Sequence, residues 1–150
     1  MIIIICFSSC DYFSFERNKS VQQLDTIVDK STVDVFPSFA VCDGIIEKEK
    51  KRSCFEETLF KEISKRLSTQ KILVKTPIEE TIEVIIVVRA NNQFELKSIK
   101  ASSELMIQIP DLKERISTCI SDLPKIRAAS KRGIPVTSEY TLPILIKLND

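Results

Sequence analysis

The run Thr81-Ile82-Glu83-Val84-Ile85-Ile86-Val87-Val88-Arg89 constrains this chain more than any other stretch. Its length is that of a strand rather than a helix, and β-branched residues favour a pleated, packed surface. Alternation sends Ile82, Val84, Ile86 and Val88 to one face and Ile85 and Val87 to the other. A strand with apolar residues on both faces belongs in the middle of a sheet. The rest of the chain must supply its neighbours and its cover.

The neighbours follow from turn and proline signals. Ala90-Asn91-Asn92-Gln93 predicts a hairpin turn, because Asn tolerates positive φ, and Phe94 to Lys100 predicts its second strand. Tyr140 to Leu148 alternates Leu142, Ile144, Ile146 and Leu148 on one face. Pro143 has no N–H, so the odd-numbered backbone groups of that strand must turn away from a paired neighbour. The last strand is therefore expected at an edge, with the Leu145 and Lys147 amides facing outward.

Two helices are expected as cover. Phe55, Leu59, Ile63 and Leu67 recur every four residues, with Phe60 widening the stripe. Ser53 and Glu56 form a capping-box pattern at that helix's start, after a charged loop from Glu47 to Arg52. Leu112, Ile116, Cys119, Ile120 and Leu123 mark the second helix, opened at Ile109-Pro110-Asp111 and ended by Pro124. Lys125 to Gly133 reads as a basic surface loop, and Ile72-Leu73-Val74 as a short extended piece. The expected class is α+β: a three-stranded antiparallel sheet with two helices on one face.

Composition argues against most enzyme chemistry. With 22 Lys+Arg against 21 Asp+Glu the formal net charge is +1, which gives no field for nucleic acid. There is no His, and Gly occurs only at positions 44 and 133. The commonest general base, the commonest zinc ligand and a glycine-rich phosphate cradle are all missing. No catalytic residue, metal or cofactor is assigned.

Five cysteines divide by position. Cys119 falls on a helical apolar stripe and reads as a buried thiol. Cys42 and Cys54 flank the charged loop, and three readings stay open: a disulfide, two free core thiols, or a redox or metal site. An oxidising compartment favours the disulfide. Cys6 and Cys10 lie in Met1-Ile2-Ile3-Ile4-Ile5-Cys6-Phe7-Ser8-Ser9-Cys10, too short for a helix across a bilayer. This stretch resembles the end of a bacterial lipoprotein signal peptide, which implies acylation at Cys10 and an address on the periplasmic side of the cell envelope. An N-terminal strand is the competing reading. Residues 11–32 then form a polar tether and 33–150 the folded domain.

Leu123-Pro124-Lys125-Ile126, Ala128-Ala129, Arg132-Gly133-Ile134-Pro135-Val136 and Leu142-Pro143-Ile144 resemble the ending of the TonB C-terminal domain. Phe36-Pro37, Cys42 and Cys54-Phe55 extend the resemblance to divergent members. It implies two helices on a three-stranded antiparallel sheet, and uptake of an extended peptide of an envelope protein by strand addition. The residues implied are Thr141, Leu142, Pro143, Ile144, Leu145, Ile146, Lys147 and Leu148. Lacking the transducers' membrane-spanning helix and Pro-rich reach, this chain is expected to bind without transducing energy. The alternative is a structural lipoprotein whose same edge pairs with a second copy.

Overall fold

A computed structural model describes residues 27–29 and 32–148; Cys10 and the lipoprotein-like stretch lie outside the described residues. In chain order the elements are β1 (Ile27–Val28), β2 (Ser38–Phe39), a 3-10 turn (Ala40–Cys42) and α1 (Lys48–Ser68). Then follow β3 (Ile78–Val88), β4 (Phe94–Lys100), α2 (Ser103–Gln108) and α3 (Leu112–Ser121). The chain ends with β5 (Ile126–Arg127), β6 (Ala129–Lys131) and β7 (Ile134–Leu148).

The apolar run is the centre of the sheet, as its two-faced pattern requires. β3 pairs antiparallel with β4 on one side and with β7 on the other. The full order is β1-β7-β3-β4, with β1 parallel to β7, and β6 pairs antiparallel with the start of β7. The α+β class therefore holds, but the sheet is mixed and exceeds three antiparallel strands, and the described helices number three. The additions are strands of two or three residues, too short to carry a periodicity. The extra helix arises because the stretch before Pro110 is itself helical. Ser102 Oγ accepts from Leu105 N at its start, and the chain breaks at Ile109-Pro110.

Both long helices cover one face. Phe55, Leu59, Ile63 and Leu67 of α1 and Leu112, Ile116, Cys119 and Ile120 of α3 share a core with Ile82, Val84, Ile86 and Val88. Tyr140, Leu142, Ile144 and Ile146 of β7 join the same core. Each such buried side chain contributes about 1.5–3 kcal/mol relative to exposure. Phe39 stacks between Phe55 and Phe94, with ring centroids 5.7 and 5.9 Å apart, and Phe55 meets Tyr140 edge-on at 4.9 Å.

Several local expectations need correction. α1 begins at Lys48, five residues before the expected capping box, and its N-cap is Glu47, whose side chain makes no cap hydrogen bond. The supposed charged loop is its first turns. Lys50–Glu47, Arg52–Glu49 and Arg52–Glu56 pair at helical spacing, and the Lys48 and Arg52 cations stand 5.5 and 5.8 Å from the Phe36 ring. Cys54 is thus in the second turn of the helix rather than at its start. The basic loop contains β5 and β6, and β7 starts at Ile134 rather than Tyr140. No strand forms at Ile72–Val74. Phe60, placed on the core stripe by spacing, is 44% exposed.

Cys42 and Cys54 form a disulfide with Cα atoms 5.9 Å apart. It ties the 3-10 turn, and the β2 strand before it, to α1. Val33, Phe36 and Ala129 make a small second core, against which Val28 and Val136 pack. β1 lies within the stretch read as tether, so the last residues of that stretch belong to the fold. The β3–β4 turn uses Asn92 at φ 68°, and the Lys131–Ile134 turn places Arg132 and Gly133 at φ 52° and 76°. Two successive positive-φ residues are what a two-residue hairpin of matching twist demands.

Candidate functional site

Every residue from Thr141 to Leu148 lies on β7, and two observations fix which way its backbone faces. Glu83 stands opposite Pro143 in the ladder with β3. At the hairpin, Arg89 N donates to Gln93 O at 2.8 Å, which turns the odd-numbered backbone groups of β3 towards β4. Its even-numbered groups then face β7, where Ile82 meets Ile144 and Val84 meets Leu142. Pro143 is consequently in a non-hydrogen-bonded pair, its nitrogen pointing away from β3. Ala90 N donating to Thr137 Oγ1 at 3.1 Å agrees with this parity.

The outward backbone groups of β7 are therefore the odd ones: Glu139, Thr141, Pro143, Leu145 and Lys147. Among the described residues, β1 takes up this side only opposite Thr137 and Ser138. From Glu139 to Leu148 no described strand pairs on it. The side chains of Thr141, Pro143, Leu145 and Lys147 are exposed on the face away from the helices, while Leu142, Ile144 and Ile146 are buried beneath α1. Pro143 removes one donor from the open ladder but leaves its carbonyl as an acceptor.

Beside this edge runs a groove. Ser64, Leu67 and Ser68 of α1 and Ile144 to Leu148 of β7 line a hollow of about 280 Å³. α1 runs in the same direction as β7: Phe55 meets Tyr140 near one end, and Leu67 and Ser68 share the hollow with Leu148 at the other. Phe60 stands one helical turn before Ser64 on the same side of α1. The α1 wall of the hollow is thus Ser64, Leu67 and Ser68, with the exposed Phe60 ring one turn before it. Sequence reasoning missed this wall, although Phe60, Ser64 and Ser68 recur at helical spacing, because nothing local tells which flank of a helix meets an edge.

The outer face of the sheet is mostly charged. Lys147 pairs with Glu79 at 2.8 Å, Lys100 with Glu83 at 2.9 Å, and Lys97 with Glu139 at 2.5 Å. The last pair spans from β4 to β7 across β3 at the level of Val87, which is 2% exposed. Ile85 is half-buried and Leu145 is 55% exposed. The segment Val33–Val41 does not cover this face, since Val33 and Phe36 pack with Ala129 and Phe39 packs in the main core.

Other chemistry-bearing groups are already occupied. The hollow lined by Glu79, Glu80, Ser102 and Glu104 holds no free carboxylate pair, because Glu80 accepts from Ser102 N at 2.7 Å and Ser102 Oγ at 2.6 Å. The Ser102 hydroxyl, then its amide, holds the Glu80 carboxyl below its ordinary value. Cys119 is 2% exposed, and burial pushes its thiol up. Tyr140 Oη and Ser138 Oγ, neighbours on the inner face of β7, are buried without a well-formed hydrogen bond. Burial pushes the Tyr140 phenol up to about 12, an effect the Ser138 hydroxyl only partly offsets. Among the described residues no helix is long and apolar enough to cross a membrane, and no group of three His, Cys, Asp or Glu is placed to hold a metal.

Compared with known protein families, with characterised proteins and with solved structures, the chain matches none of them.

Proposed function

We propose that this chain is a lipid-anchored binding module of the cell envelope that takes up an extended peptide of an envelope protein along the Thr141–Leu148 edge. The observation that carries the reading is the ten-residue stretch of β7 whose outward amides and carbonyls meet no described strand, with a groove at its side. Such an edge is a template: main-chain hydrogen bonds supply affinity, and alternate side chains of the guest enter the flanking hollow. On this reading β4, β3, β7, α1 and α3 form a TonB C-terminal-like arrangement elaborated by short strands. Cys10 carries the anchor, and the module binds without transducing energy.

The test is isotope-edited NMR of the full chain titrated with synthetic extended peptides rich in β-branched residues. The reading expects shifts at the Thr141, Leu145 and Lys147 amides that disappear in Leu145→Asp. Shifts confined to the solvent side of a helix, or none with any such peptide, would reject it. Mass spectrometry of the chain recovered from bacterial membranes tests the anchor: a diacylglyceryl adduct at Cys10 supports it, and an intact Met1–Cys10 stretch rejects it. Self-pairing of the same edge predicts a dimer, so a scattering mass that stays monomeric across concentration removes that alternative.

A further inference from the structure

We infer that one end of the domain, where Val41, Ile46 and Ile134 protrude among an excess of cations, docks on an anionic membrane surface. The inference requires neither strand addition at β7 nor acylation at Cys10, and it adds an orientation of the fold at the bilayer.

Two basic stretches lie far apart in the chain, and the fold brings them to the same end. Residues 33–43 join them. Lys48 Nζ donates to Val33 O at 2.8 Å, and Arg132 N donates to Asp34 Oδ2 at 2.6 Å. Ser38 and Phe39 pair with Arg127 and Ile126, and Arg127 Nη2 lies 3.2 Å from Asp43 Oδ2. Segments 33–52 and 125–134 together carry eight Lys and Arg against four Asp and Glu, whereas the whole chain has a formal net charge of only +1. The side chains of Lys51, Lys125, Lys131 and Arg132 have no ion-pair partner among the described residues. The positive charge of this chain is therefore local, and it is largely unspent.

Aliphatic side chains stand out from the same end. Ile46 is 99% exposed, Val41 76% and Ile134 64%. They occupy three separate places: the approach to α1, the 3-10 turn and the hairpin between β6 and β7. The Cys42–Cys54 bond and Ile45 N donating to Cys42 O at 3.2 Å hold the first two outward. Isolated aliphatic tips form no continuous groove for a peptide, and they offer no aromatic ring on which a base could stack. They suit the boundary between headgroups and acyl chains, which each tip can enter while neighbouring Lys and Arg reach the phosphates.

The chain also enters the fold here, since β1 runs parallel to β7 with Ile27 opposite Thr137. Docked in this way, β7 rises from the bilayer with Ile134 nearest and Leu148 farthest, so the open Glu139–Leu148 side stands clear of the lipid. At the far end Leu73 is 94% exposed, with Lys71 and Lys75 beside it in sequence. That end is the competing surface and supplies the control.

The chain contains no Trp, so a single introduced Trp reports its own surroundings. The experiment uses full-length Ile46→Trp and full-length Leu73→Trp, each titrated with phosphatidylglycerol vesicles and with phosphatidylcholine vesicles. The proposal expects Ile46→Trp emission to shift to the blue, and to be quenched by brominated acyl chains, on phosphatidylglycerol alone; Leu73→Trp stays unmoved. Adding Lys51→Gln, Lys131→Gln and Arg132→Gln to Ile46→Trp should weaken the partition roughly a hundred-fold. An unmoved Ile46→Trp signal overturns the proposal, even where the chain sediments with vesicles through its apolar first residues. A shift at Leu73→Trp instead, equal affinity for phosphatidylcholine, or undiminished binding by the triple substitution overturns it as well. So does the same blue shift on adding a DNA oligonucleotide or polyglutamate, which would assign the cations to another polyanion. No lipid enters the peptide titration of β7, so either result stands without the other.

Discussion

At one rim of the sheet, β4 is seven residues long and breaks register between Ile85 and Ile86 of its partner, where Lys97 is the extra residue. At the other rim, β7 runs for fifteen residues and stays in continuous register with β3 from Ser138 to Leu148. A bulge twists a strand and interrupts the row of donors and acceptors that a new strand needs, and charge at its centre adds desolvation cost. β4 has both devices. β7 has one missing donor at Pro143, one Lys at its end, and a helix alongside that makes a trough of the rim. Two sides of one sheet are thus built differently, and the binding proposed above falls on the β7 side.

The comparison breaks most visibly with prolines. Ile144→Pro removes an amide that bonds to β3 and should cost about 3 kcal/mol or more, whereas Leu145→Pro removes only an outward amide and should cost less than half as much. Denaturant unfolding of both variants checks this; equal losses would mean that the parity of β7 is wrong. The disulfide comes next. It clamps α1, the wall of the β7 groove, to the turn at Ala40–Cys42, and the two cysteines lie 12 residues apart in sequence. Replacing both by Ala should cost about 2–3 kcal/mol, read as a lower unfolding midpoint without loss of cooperativity.

A smaller effect belongs to the buried face of β7. Tyr140→Phe removes a hydroxyl that lacks a well-formed partner and should be neutral or stabilising by up to about 1 kcal/mol at pH 7. The sign with pH is determined by the raised phenol, which sits at about 12 against an unfolded value of 10.0. Its favourable contribution is complete below pH 10 and is lost as the pH rises towards 12. The native chain should therefore lose stability across that window more steeply than Tyr140→Phe, which a pH series of thermal melts would show. The smallest expected stability effect is deletion of Lys97. It restores regular pairing without flipping Phe94, Leu96 or Ile99, so the fold should survive. The straightened β4 edge should then self-associate, seen as a scattering mass that rises with concentration. A monomer would show that the bulge is not what protects that rim.

Much of the core was legible because its signals are local. Ile82, Val84, Ile86 and Val88 on one face of β3, the Asn91-Asn92 turn, and the four-residue spacing of Phe55, Leu59, Ile63 and Leu67 all report which side a residue buries. Pro143 also reported the open side of β7 from Glu139 onward, since a missing N–H is a property of one residue wherever it lands. β7 as a whole is not the edge, because β1 pairs beyond it at Thr137 and Ser138. The start of α1 departs from its local signal: Ser53 and Glu56 satisfy a capping pattern, but the ion pairs from Glu47 to Glu56 and the Phe36 ring beneath Lys48 and Arg52 support the earlier turns as helix.

What the amino-acid order determined by itself, then, is periodicity and punctuation: which residues alternate, where the chain can turn, and which strand must have an unpaired side. Only the tertiary structure decided that a two-residue β1 would sit parallel on that side, that Lys97 would be an extra residue, and that α1 would lie along β7 with Ser64 and Ser68 towards the rim. These depend on contacts between residues far apart in the chain. A two-residue strand has no period to read, and a helix's amphipathic stripe names its buried face but not the neighbour along its flank.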